Sequence, residues 1–170
     1  MEYKQIFGEE PDDFYYVAKD RQFYIKLRNL LRSRITKERK HIRKGIKFIG
    51  HYNTTGYGIA CRGYIHALFL AGYDVTFEPL GDKIPIIEDE ILFYCYRRKI
   101  EYDTIIIHAV PNGFEKYIEK GKKMIGITVW EADLLPTQWI DTLHKMDEII
   151  VPCEWNKQVF QKFGRNDKNT

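Results

Sequence analysis

The residues best suited to chemistry fall in three short segments. The first, His51-Tyr-Asn-Thr-Thr-Gly-Tyr-Gly58, runs at once into a helical pattern that carries Arg62. Glycines let a backbone turn tightly and approach a ligand, and the first N–H groups of a helix attract an anion. Gly56, Tyr57, Gly58 and Arg62 are therefore candidate substrate-binding residues. The spacing is neither GxGxxG nor GxxxxGKS/T, so neither a dinucleotide fingerprint nor a P-loop is expected. The same glycines also suit a plain strand-to-helix turn. In the second segment, His108 closes the apolar run Thr104-Ile-Ile-Ile-His108 ahead of Ala-Val-Pro-Asn-Gly. An imidazole there can hydrogen-bond a sugar hydroxyl or move a proton near neutral pH, which makes His108 the candidate catalytic residue. A lone histidine at a strand end is, however, more often structural. The third segment, Ile125 to Trp139, reads as a buried strand giving way to a polar, aromatic loop. Trp130, Glu131 and Asp133 lie in that loop, with Pro136 placed for the first turn of the next helix. Trp130 offers a flat apolar face to a sugar ring, whereas Trp139 and Trp155 fall on helical patterns that favour core packing.

Other chemistries find little support. Glu131 and Asp133 stand two apart on an irregular loop, which sets no fixed carboxylate separation for glycosidase-type acid–base pairing. There is no GxSxG elbow for a hydrolase, and His41, His51, His66 and His144 show no HExxH spacing, so no metal site is expected. Cys61, Cys95 and Cys153 are odd in number and widely spaced. That arrangement predicts reduced, mostly buried thiols rather than a disulfide framework.

The elements that must hold these segments are short apolar runs alternating with helical patterns from Gly45 onward. Strands are expected at Ile46–Ile49, Asp74–Glu78, Thr104–His108, Met124–Val129 and Glu148–Val151. Helices are expected near Ile59–Ala71, Ile86–Lys99, Gly113–Lys120, Thr137–Lys145 and Glu154–Phe163. Repeated βα units of this kind form an α/β layer domain, a Rossmann-like parallel sheet with helices on both faces. Loops beyond the carboxyl ends of such strands line the ligand crevice, and all three chemistry-bearing segments fall there. The expected organisation is an N-terminal segment over 1–44, the domain over 45–164 and a polar tail over 165–170.

The 170 residues are 44% hydrophobic and 30% charged, enough for one good core. No apolar run approaches the ~20 residues of a membrane span, and the polar start lacks the apolar centre of a secretory signal, so the expected compartment is the cytosol. The net charge of +3 hides an asymmetry: Arg21 to Lys47 holds 11 Lys/Arg against the single acid Glu38. Within it Phe23, Leu27, Leu30 and Leu31 recur at helical spacing between basic residues, predicting a basic amphipathic helix from Phe23 to Arg34. Packing on the domain is the preferred expectation, with peripheral membrane contact as the alternative. Nucleic acid is disfavoured as a partner because no reading motif accompanies the charge.

Taken together, Asn53-Thr-Thr-Gly-Tyr-Gly58 with Arg62, His108 before Pro111, and Val129-Trp-Glu-Ala-Asp-Leu-Leu-Pro136 leading into Asp147 to Asn156 form a pattern. It resembles the amino-terminal, acceptor-side half of GT-B glycosyltransferases of the family 4 group, over about Gly45 to Gly164. The resemblance implies sugar transfer from a nucleotide-sugar donor to a glycan, lipid or protein acceptor, with no cofactor and no essential metal. It implies that Gly56, Tyr57 and Gly58 approach the donor phosphates or the acceptor. His108 would lie near the reacting sugar, and Trp130, Glu131 and Asp133 would shape the acceptor side. In that family the donor is held chiefly by a second Rossmann domain, which a chain of this length does not accommodate. The implied partners are thus an acceptor glycan or glycolipid and a donor-binding domain in cis or in trans. The alternative expectation is a noncatalytic sugar- or protein-binding module that kept the fold.

Overall fold

The computed structural model describes residues 43–81, 87 and 89–164. The basic helix expected over Phe23–Arg34 and the polar tail 165–170 lie outside the described residues.

Five strands form one sheet: β1 (Arg43–Gly50), β2 (Tyr73–Pro79), β3 (Thr104–His108), β4 (Lys123–Ile127) and β5 (Glu148–Ile150). They stand in the order β2-β1-β3-β4-β5, with every neighbouring pair parallel. Parallel strands are buried on both faces, which is why they read as near-continuous apolar runs. The period of two divides their side chains between two cores. Ile46, Phe48, Ile106, Ile125 and Ile127 share one core with Cys61 and Ile65 of α1 (Gly56–Leu70) and with Leu92 to Cys95 of α2 (Glu90–Cys95). Ile49, Ile105, Ile107 and Met124 share the other with Phe114 and with half-buried Leu143 and Met146 at the end of α3 (Ile140–Leu143). A third cluster, Leu135, Trp139 and Val159, ties the segment after β4 to α4 (Glu154–Gly164). The α/β parallel sheet with helices packed on it is as the patterning implies.

Several boundaries differ, each for a nonlocal reason. The helix expected over Gly113–Lys120 is instead two 3₁₀ turns, Pro111–Gly113 and Glu115–Tyr117. Phe114, fully buried between them, fills a gap over Gly126, where a Cβ would lie 2.5 Å from the Phe114 ring. Short helices nucleate poorly, so this one packing contact decides the backbone. The second helix spans Glu90–Cys95 against the expected Ile86–Lys99, of which Ile86 and Glu88 lie outside the described residues. Its start is capped by Asp89, whose carboxylate accepts from Leu92 N–H at 2.9 Å and from His66 Nε2 at 2.7 Å. Its end comes where Tyr96 bridges to Phe77 of β2 and Arg97 turns to φ 43°. The helix expected over Thr137–Lys145 is a 3₁₀ turn, Thr137–Trp139, followed by the four-residue α3. Trp139 is buried as expected, but Trp155 on α4 is 45% exposed rather than packed in a core.

Strand β4 ends at Ile127, not Val129, because its neighbour β5 spans only three residues and the last paired rung is Ile127 with Ile150. Thr128 still donates to Ile150 O at 3.1 Å, and Val129 is the first residue beyond the ladder. Among the described residues, no helix is long and apolar enough to cross a membrane.

Candidate functional site

The chain goes from β1 to β2 on one side and then returns to the other side of β1 for β3. Loops after β1 and β3 therefore diverge, and the sheet opens at its carboxyl edge between them. A pocket of about 350 Å³ lies at that edge, its wall including Gly56, Tyr57, Tyr64, His108, Thr128 and Glu131.

The first loop is built by Asn53. Its side-chain oxygen accepts from Thr55 N–H at 3.2 Å and from the Thr55 hydroxyl, and the Thr55 carbonyl accepts the first α1 bond, from Ile59 N–H, at 3.0 Å. Gly58 is buried directly under this turn, where a Cβ would lie 2.2 Å from Asn53 O. Gly58 thus shapes the loop by close backbone approach, while Gly56 has nothing within 4 Å of its Cβ position and borders the pocket.

Tyr57, in the first turn of α1, reaches across the edge. Its ring lies 4.9 Å from the His108 ring and 5.9 Å from that of His51, and its hydroxyl lies 3.3 Å from Val129 N and 3.4 Å from Val129 O. Tyr64, two helical turns further on, meets His108 edge-on at 5.4 Å. His108 is therefore enclosed, 5% exposed, and its Nδ1 has no hydrogen-bond partner among the described residues. Burial first, and the neighbouring His51 second, push its pKa down to about 4. The imidazole is neutral across the physiological range, which suits it to orienting a hydroxyl by hydrogen bonding rather than to carrying charge.

The remaining residues singled out in the sequence stand apart from this cage to different degrees. Glu131 is exposed and lines the pocket. Trp130, one residue earlier, is fixed within its own loop. The buried Asn156 side chain accepts from Trp130 N–H at 3.0 Å and donates to Trp130 O at 2.9 Å. The Trp130 indole N–H donates to Leu134 O at 2.8 Å, and its ring packs edge-on against Trp139 at 4.6 Å. Neither Trp130 nor Asp133, which is exposed, is on the pocket wall, and the same holds for half-buried Arg62. Sequence reasoning passed over Tyr64, Thr128 and Asn156. Tyr64 carries a usable signal, since Tyr57 and Tyr64 are seven apart and share one helix face.

A larger cavity of about 610 Å³ lies between α3, α4 and the edge strand β5, lined by Leu135, Leu143, Ile149 and Phe160 among others. It contains none of the candidate site residues, whereas the smaller pocket gathers Tyr57, His108, Thr128 and Glu131 from three strand ends and is the better candidate site. Among the described residues, no group of three or more His, Cys, Asp and Glu is arranged to hold a metal ion.

No family model, no curated protein and no solved structure matches this chain. The functional reading therefore rests on the pocket and on the motif pattern that leads to it.

Proposed function

We propose that this chain is the acceptor-side half of a GT-B-type glycosyltransferase. In this reading it holds the hydroxylated acceptor of a sugar transfer while a donor-binding domain, in cis or in trans, supplies the nucleotide sugar on the cytosolic side of the cell. The observation that carries the reading is the convergence of three separate strand ends on one pocket. Tyr57 comes from the segment after β1, His108 from the end of β3, and Thr128 and Glu131 from the segment after β4. That is the crevice where open α/β sheets bind ligands. The motif order resembling family 4 glycosyltransferases falls on the same edge.

The chemistry of the wall agrees with an acceptor rather than a donor. A buried neutral imidazole, the Tyr64 phenol and a threonine hydroxyl are groups that orient sugar hydroxyls, and holding an acceptor in reacting geometry is itself a large part of catalysis. Among the described residues, the wall carries no Lys or Arg to meet a diphosphate. In the assembled enzyme no essential metal is required, because oriented N–H groups and cations of the donor domain can stabilise the departing phosphate. The same absence of cations also supports a second reading, a noncatalytic sugar-binding module.

Titration calorimetry with acceptor glycosides, nucleotides and nucleotide sugars tests the proposal. Saturable glycoside binding that His108→Ala and Glu131→Ala weaken, with nucleotides binding weakly or not at all, is the expected result. Tight nucleotide binding without glycoside binding overturns it. Transfer activity on adding a donor domain separates the enzyme from the module.

A further inference from the structure

Val129 is the first residue beyond the β4–β5 ladder, and both of its backbone polar groups turn to one side chain. The Tyr57 hydroxyl accepts from Val129 N–H at 3.3 Å and donates to Val129 O at 3.4 Å, and Thr128 Oγ1 lies 3.5 Å from that hydroxyl. These distances are long against the ~2.8 Å usual between hydroxyl and acceptor oxygens. A phenol has one proton, so it cannot donate to Val129 O and Thr128 Oγ1 at once. The Thr128 hydroxyl must then donate to the phenol oxygen, and the trio is paired only through long, weak contacts. Thr128 is 1% exposed, so water does not make up the difference. Beneath the Tyr57 ring lies His108, 5% exposed and with its Nδ1 unpartnered among the described residues. Gly56, next to Tyr57, has open space around its Cβ position, so no side chain there hems in the phenol.

We propose that Tyr57 is a displaceable latch whose phenol occupies a hydroxyl-binding position formed by Val129 N–H, Val129 C=O and the Thr128 hydroxyl. An uncharged polyhydroxylated ligand takes that position when the ring lifts from His108. The three groups themselves define the ligand class. One donates, one accepts and one can do either, so the matching group must both accept and donate, as a hydroxyl does. An ionised phosphate or carboxylate only accepts, and it would leave Val129 O unpaired beside a wall whose charged residue among those described is Glu131. The choice of sugars as the natural hydroxyl ligand rests on the function proposed above; the latch rests on the geometry alone.

Tyr57→Phe tests it, because the ring keeps its packing on His108 in the unbound protein while the hydrogen bonds that hold it down, and the competing hydroxyl, are lost. Methyl glycosides and two non-sugar polyols, inositol and glycerol, are titrated into wild type and variant while the His108 ring carbons are followed by NMR. Binding that shifts the His108 signal and is about fivefold tighter in Tyr57→Phe is expected, since the ligand no longer displaces a hydrogen-bonded phenol. Thr128→Val, nearly isosteric, is expected to weaken the same binding about fivefold. Glycosides that bind wild type as tightly as Tyr57→Phe, or more tightly, overturn the latch and leave the glycosyltransferase reading standing. Polyols gaining affinity in the variant while glycosides bind neither protein keep the latch and overturn that reading. No binding to either protein overturns both.

Discussion

At the β1–β3 corner of the sheet the polar groups are buried and only partly hydrogen-bonded, whereas on the rim beyond β4 and β5 they are clasped by the rim's own side chains or left in water. His108 Nδ1 is sealed without a partner among the described residues, and Tyr57 is shared loosely among Val129 and Thr128. On the rim, Asn156 satisfies both backbone groups of Trp130, and Asp133 faces solvent. The rim has its own orphan, Trp139 Nε1, but it lies in the apolar cluster with Leu135 and Val159 and away from the pocket at the corner. Leaving a buried polar group unpaired costs about 1–3 kcal/mol. Where such a group sits on an open pocket beside loosely held neighbours, the cost is capacity held for a ligand; where an amide clasps a backbone, the fold is making a frame.

The sharpest way to break the corner is Gly58→Ala. Its Cβ would lie 2.2 Å from the Asn53 carbonyl oxygen, a backbone atom that moves only with the whole turn. A loss of about 3 kcal/mol or more is expected in urea denaturation, at the upper end of overpacking costs. A loss below about 1 kcal/mol would mean the turn relaxes freely and the corner is not tightly built.

Acid probes the same corner through His108. With a folded pKa of about 4 against an ordinary 6.5, the unfolded chain takes up this proton first as pH falls. The native state is thus at its full stability, as far as this group decides it, above pH 6.5, and loses stability progressively down to pH 4. The whole effect is up to about 3 kcal/mol from a shift of this size. Stability measured against pH should show that limb in wild type and lose most of it in His108→Gln. An unchanged limb would assign the acid sensitivity to other groups and make His108 an accessible, ordinary imidazole.

The sequence disclosed the corner better than the rim, for reasons of locality. Strands buried on both faces are written as apolar runs such as Thr104-Ile-Ile-Ile-His108, and a parallel sheet places every strand's carboxyl end at one edge. Gly56, Tyr57, His108 and Glu131 were thereby legible as neighbours, and Tyr64 was legible in principle from its spacing to Tyr57. What decided the rest lay far along the chain. Phe114 holds its 3₁₀ turns because Gly126 leaves space for it, and β4 stops at Ile127 because β5 has only three residues. Trp130 offered itself as a sugar platform, yet its setting depends on Asn156, 26 positions later, and on Trp139. No local pattern encodes such a clasp.

Asn156 therefore gives the finest test of the contrast between frame and site. Asn156→Ala removes an acceptor from Trp130 N–H and a donor from Trp130 C=O in a place where the amide itself is 3% exposed. Two backbone groups lose their partners at once, and a loss of about 2 kcal/mol is expected, softened by whatever water enters. Faster hydrogen exchange at the Trp130 amide and altered tryptophan fluorescence should accompany it. If the rim is a frame, ligand affinity at the corner falls by about threefold at most, because Tyr57, His108 and Thr128 keep their own packing. A collapse of binding at unchanged melting temperature would instead place Asn156 or Trp130 against the ligand, and the boundary between frame and site would move outward to include the loop.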